Sequence, residues 1–167
     1  ALALGGREVL YLQIGADGSQ TFWMVPLAGG TPRQVWNGFA FAASGAASPD
    51  GTRAFAIIRS AEPGGHQAAL IRLDGGQPQV TALAGFDRST MQFPWAWTPD
   101  SKAITYMNKT GSLDNIWALP IAGGKPYALT HFTDLHIEGY AFAPDGRLVV
   151  SRMAPNADAV LATPASN

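Results

Sequence analysis

His131, Asp134, His136 and Glu138 fall within one short stretch, and imidazole and carboxylate at near-alternate positions is a pattern that can hold zinc. The competing reading is a polar loop on the rim of a repeat fold. The segment is short and no second ligand group accompanies it, so neither a metal nor a cofactor is expected. Other catalytic chemistries find even less support. With no cysteine there is no thiolate nucleophile, no disulfide and no cysteine metal site. Ala43-Ser-Gly-Ala-Ala does not make a Gly-x-Ser-x-Gly nucleophile elbow, and no kinase motif is present. Paired carboxylates for glycoside hydrolysis depend on spatial separation, and nothing here favours them. The chain is therefore expected to carry no catalytic residue of its own.

Asp50, Asp100 and Asp145 look like a set of acids, but each follows a proline: Ser48-Pro-Asp-Gly51, Thr98-Pro-Asp-Ser101 and Ala143-Pro-Asp-Gly146. Proline pre-sets the backbone of a turn, and aspartate accepts hydrogen bonds from nearby N–H groups, so the three read as structural turn residues. Ser101 stands where the sister turns have glycine, which strains that turn or shifts its type. Ala1-Leu-Ala-Leu-Gly-Gly6 fits a fourth, eroded copy. Counted from Leu4 through Pro49 and Pro99 to Pro144, the spacings are 45, 50 and 45 residues. A second landmark keeps the same beat. Gly30, Gly76 and Gly124 each end a Gly-Gly pair that precedes a proline by two residues, at spacings of 46 and 48. Periods of 20–50 residues indicate solenoids, propellers or arrays.

The elements that carry these landmarks are short strands, four to a repeat, here called a to d. In the third repeat they are 92–97, 103–108, 115–120 and 127–129, with Trp95, Trp97, Ile104, Tyr106, Ile116 and Trp117 supplying the aromatic and β-branched content strands favour. Met107–Leu113 reads as a polar b–c loop, and 122–126 as the c–d hairpin. The second repeat places its strands at 39–47, 53–58, 69–73 and 79–83. The first has b, c and d at 9–13, 22–26 and 34–36, with only the tail of strand a. The last has a, b and c at 139–142, 148–152 and 159–163 and no d. Tandem four-stranded units of this length are the blades of a β-propeller, an all-β fold. Because each blade packs on both sides, its strands are apolar on both faces. The reading is one domain over 1–167, with repeats at about 1–38, 39–84, 85–131 and 132–167 and incomplete end blades.

Charged residues are 14% of the 167 and the net charge is −1, so no basic field exists to attract nucleic acid. The longest apolar runs are far too short to cross a bilayer, which excludes membrane insertion by helices.

Trp97-Thr-Pro-Asp-Ser-Lys, Asn115-Ile-Trp-Ala-Leu-Pro-Ile-Ala-Gly-Gly-Lys-Pro and Leu129-Thr-His-Phe-Thr together resemble the TolB-like, WD-repeat-like propeller family. The nearest likeness is to the C-terminal propeller of acidobacterial serine/threonine protein kinases, whose last blade commonly ends in a strand like Asp158-Ala-Val-Leu-Ala162. The same repeats occur in TolB and in the propellers of prolyl oligopeptidase-type peptidases. The resemblance implies the fold strongly and function only broadly. It implies a non-catalytic binding or sensor module for a protein, peptide or small ligand, or a propeller that gates a serine hydrolase encoded elsewhere in a longer chain. It also implies an extracytoplasmic or periplasmic setting.

In a propeller the d–a and b–c loops share one rim and strand a lines the channel, and loops on a rigid scaffold carry binding. The candidates there are Asp87, Arg88, Gln92, Asp134, His136 and Glu138. Trp36 and Trp95, near the d–a junctions, are candidates to face a ligand, whereas Trp23 and Trp117 read as packing residues. A protein or peptide partner is expected. The incomplete end blades leave unpaired edges, to be closed by further blades or by a second copy in a homodimer.

Overall fold

The computed structural model describes residues 2–4, 7–16, 20–38, 40–42, 47–59, 66–74, 80–82, 89, 91–110 and 113–154. Three antiparallel sheets of four strands and one of two follow one another along the chain. The first is β1 (Leu2–Leu4), β2 (Glu8–Ile14), β3 (Gln20–Pro26) and β4 (Arg33–Gly38). The second is β5 (Ala40–Ala42), β6 (Arg53–Arg59), β7 (His66–Arg72) and β8 (Val80–Ala82). The third is β9 (Met91–Trp97), β10 (Ala103–Thr110), β11 (Leu113–Pro120) and β12 (Tyr127–Ala128). The fourth has β13 (His136–Phe142) and β14 (Leu148–Met153). Each sheet is a meander in sequence order. No helix occurs among the described residues. The strand expected at 159–163 lies outside them, as do Phe39, Asp87 and Arg88.

Side-chain alternation explains how the sheets stack. Successive residues of a strand point to opposite faces. On β6, Ala54, Ala56 and Ile58 join Leu10, Phe22, Met24, Val35 and Trp36 of the first sheet. Phe55 and Ile57 point the other way and join Trp95, Trp97, Ile104 and Tyr106 of the third. β7 divides likewise, Ala69 and Ile71 to one side and Ala68 and Leu70 to the other. A smaller cluster of Met107, Ile116 and Ile137 joins the third sheet to the fourth, with Phe132, Tyr140, Leu148 and Val150 packed against it. Full burial of a side chain such as Ile57 or Ile71 stabilises by about 1.5–3 kcal/mol. The faces with no further described sheet over them differ. Val149 and Met153, on the outer face of the fourth, are 59% and 49% exposed.

Three turns of one kind join the first two strands of the second, third and fourth sheets. Gly51 N–H donates to the Ser48 carbonyl at 2.8 Å, Ser101 to Thr98 at 2.9 Å, and Gly146 to Ala143 at 2.9 Å. The closing residue is left-handed in all three, with φ 71°, 60° and 84°. Serine therefore takes the glycine conformation, and the turn keeps its type rather than shifting.

Two stretches differ from the sequence reading. Met107–Thr110 and Leu113 are strand, because Asn108, Lys109 and Thr110 continue the ladder opposite Asn115, Asp114 and Leu113. His136 and Glu138 lie on β13 and not in the loop before it, since His136 and Ile137 already pair with Met153 and Arg152. The first strands are bulged in the second, third and fourth sheets. In β9 the irregularity falls between the Thr105 and Met107 partners, beside Pro94. Proline cannot donate to the ladder and is confined to edges and bulges.

Candidate functional site

In a meander the a–b and c–d connections emerge at one end of the sheets and the b–c and d–a connections at the other. Most of the expected binding residues belong to the second end, where the side chains largely engage one another. His136 Nδ1 lies 3.2 Å from Oδ2 of buried Asp114, which also accepts the Ile137 N–H at 3.3 Å. Asp134 accepts from Arg152 at 2.6 Å, and the same guanidinium lies 3.8 Å from the centre of the Phe132 ring. Glu138 Oε2 accepts from Ser151 Oγ at 3.0 Å. Asp134, His136 and Glu138, three of the four residues that suggested zinc, thus face different partners, and among the described residues no three His, Asp or Glu converge. Gln92 is exposed. Trp36 is 5% exposed and packs on Phe22 with ring centroids 5.6 Å apart. Trp95 is 8% exposed and meets Phe55 edge-on at 5.5 Å, so both indoles are committed to the cores between sheets. Asp87 and Arg88 lie outside the described residues.

The opposite end carries a recess of about 820 Å³ between the second and third sheets. Its walls are the turn residues Asp50, Asp100 and Ser101, the strand-end cations Arg53, Arg72 and Lys102, and an apolar patch of Leu70, Pro120 and Ile121, with Ala122 beside it. Two neighbouring turns are joined across it, the Asp50 N–H donating to Ser101 Oγ at 3.0 Å. Within its own turn Asp50 Oδ1 accepts from Thr52 N–H at 3.0 Å, Thr52 Oγ1 at 2.8 Å and Ser48 Oγ at 2.5 Å. Burial works against its charged form, but these bonds and the charge of Arg53 outweigh it and hold the carboxyl below its usual value. Asp100 is held low by the Thr98 hydroxyl, at 2.7 Å, and the Lys102 N–H, at 3.1 Å. In the turn of the fourth sheet Asp145 accepts the Arg147 N–H at 3.1 Å.

No protein-family model and no curated protein matches this sequence. Solved structures do resemble it. TolB from Acinetobacter baumannii is similar over 84% of this chain at 19% identity, with a TM-score of 0.56. The tricorn protease is similar over 91% at 19% identity and a TM-score of 0.59. A puromycin-hydrolyzing peptidase of Mycobacterium tuberculosis is similar over 90% at 19% identity and a TM-score of 0.52. The fold is that of a β-propeller. The chain spans about a third of that TolB, at 34%, and 15% and 29% of the two peptidases.

The recess draws on residues near 50, 70, 100 and 120, brought together because equivalent points of adjacent blades stack. The sequence reading identified Asp50 and Asp100 as turn residues and missed the rest of the wall. One signal was present. Arg53 and Arg72 stand where the third repeat has Ala103 and Pro120, a departure from the chain's own pattern.

Proposed function

We propose that this chain is a run of non-catalytic propeller blades that binds a protein or peptide, as part of a longer propeller or in company with a second copy. The observation that carries the reading is the 820 Å³ recess between the second and third sheets. Its volume is in the range of ligand sites, and its lining combines an apolar patch with a few charged groups. The turns around it are fixed by hydrogen bonds within and between blades, so little ordering remains to be done on binding. Asp87, Arg88, Gln92, Asp134, His136 and Glu138 would form a second, loop-bearing surface at the other end. A propeller that gates a serine hydrolase is the alternative, favoured by the two peptidases among the structures of similar fold.

Panning the purified 167-residue chain against a random peptide library tests the reading. Peptides should be enriched, and Ala122→Trp, which puts an indole into the recess wall from an exposed hairpin, should abolish their binding. Failure to enrich any peptide, or binding indifferent to A122W, contradicts it.

A further inference from the structure

We propose that the recess between the second and third sheets selects a peptide carboxylate, held by Arg53 and Arg72. The inference rests on the binding-module reading and names the chemistry that the recess recognises. Arg53 on β6 and Arg72 on β7 are direct cross-strand partners. Like charges placed opposite one another on neighbouring strands are destabilising. The fold does not ask for them there. The corresponding pair is Ala103 and Pro120 in the third sheet and Glu8 and Pro26 in the first. The backbone fixes this correspondence. Leu73 N–H donates to the Thr52 carbonyl, Ile121 to Lys102 and Leu27 to Arg7, one residue outside each pair. Departures from local rules of this kind concentrate at functional sites.

The charge of this pair is only partly answered from within. Asp74 takes one edge of the Arg72 guanidinium. Lys102 is paired with Asp100 at 3.8 Å. Asp50 feels the charge of Arg53, but its carboxylate is turned to Ser48 and Thr52, and among the described residues no carboxylate hydrogen-bonds to Arg53. The Arg53 guanidinium therefore keeps donors to offer one anionic group. A carboxylate suits the planar guanidinium fork, which can grip it through two parallel bonds. Asp50 and Asp100 would repel a phosphate, with nearly two charges, about twice as strongly as they repel a carboxylate. Leu70, Pro120 and Ile121 beside the cations offer an apolar seat for a neighbouring side chain of the same peptide.

The test uses four dansylated tetrapeptides against the 167-residue chain, read by fluorescence anisotropy. They are Leu-Glu-Leu-Ala amide, Leu-Gln-Leu-Ala with a free C-terminal carboxylate, Leu-Gln-Leu-Ala amide, and Leu-phosphoserine-Leu-Ala amide. At least one of the two carboxylate peptides should bind about tenfold or more tightly than the uncharged amide, and the stronger arm identifies a side-chain or a terminal carboxylate. That affinity should weaken as salt is raised. Arg53→Ala and Arg72→Ala should each cost about tenfold in binding, whereas Lys125→Ala, on the exposed hairpin, should change nothing. Arg53→Ala should leave the urea midpoint unchanged or raise it, because it removes a like-charge contact. Equal binding of the uncharged amide, abolished by A122W, overturns the carboxylate assignment and leaves the module reading standing. Tighter binding of the phosphoserine peptide, or a clear loss of stability in R53A, also overturns it. No binding of any peptide overturns both.

Discussion

Ser101 has two opposed effects in one side chain. Its φ of 60° is a conformation that costs an L-residue roughly 1–2 kcal/mol and costs glycine little. Yet its hydroxyl accepts the Asp50 N–H from the neighbouring blade, and a lost hydrogen bond costs about 1 kcal/mol. Glycine at this position gains on the first count and loses on the second. Ser101→Gly should therefore lie within about 1 kcal/mol of the parent. Ser101→Ala keeps the strain and loses the acceptor, so it should fall below S101G by about 1 kcal/mol. Urea midpoints of the three proteins check the order; S101A as stable as S101G would show that the turn is not strained. The aspartates of these turns carry a pH dependence. The Thr98 hydroxyl and Lys102 N–H hold the Asp100 carboxyl below the ordinary aspartate value, so its contribution to stability is present above that ordinary value and is lost as the pH falls through the lowered one. Asp100→Asn should flatten the acid limb of a plot of melting temperature against pH and leave its slope near neutrality unchanged.

A sheet of this kind is positioned by its bulges as much as by its turns. Pro94 sits in the irregular part of β9, and its carbonyl accepts the Tyr140 hydroxyl from β13 at 2.8 Å. The same hydroxyl lies 3.1 Å from Thr105 Oγ1 on β10, so one oxygen ties the fourth sheet to two strands of the third. Burial raises the Tyr140 pKa, which keeps the group a donor through the whole range in which the protein would be handled. Tyr140→Phe should cost about 1–2 kcal/mol by leaving the Pro94 carbonyl without that donor. A melt that does not move would show that water replaces the tyrosine. The elements themselves were largely legible in the sequence. Proline-aspartate turns and Gly-Gly pairs recur in phase, and strand chemistry is local. The edges were less so, because Lys109 and His136 are polar residues that strand pairing carries into β10 and β13. The recess was illegible for a different reason. Its wall is assembled by stacking of residues about 50 apart, and only Arg53 and Arg72 depart from the repeat in a way that marks it. Trp36 and Trp95, singled out as ligand-facing, are drawn into the cores because an indole is the largest apolar surface available there.

At the scale of the whole molecule, each of the inner sheets buries two faces, and the stack has two ends. The outer face of the fourth sheet presents Val149 and Met153, the same kind of surface that its sisters cover with the next sheet. Sheet faces and edges that no described residue covers invite pairing with another chain. The chain also spans only about a third of the TolB that shares its fold, at 34%. We propose on these grounds that the blades are completed from outside, by further blades of a longer protein or by a second copy. The most direct measurement is the solution mass of the 167-residue chain by light scattering, alongside a thermal melt. The account predicts self-association, reduced by Val149→Lys with Met153→Glu on the outer face. A stable monomer with a single cooperative melt, unchanged by those two substitutions, would contradict it and indicate a ring closed by this chain alone.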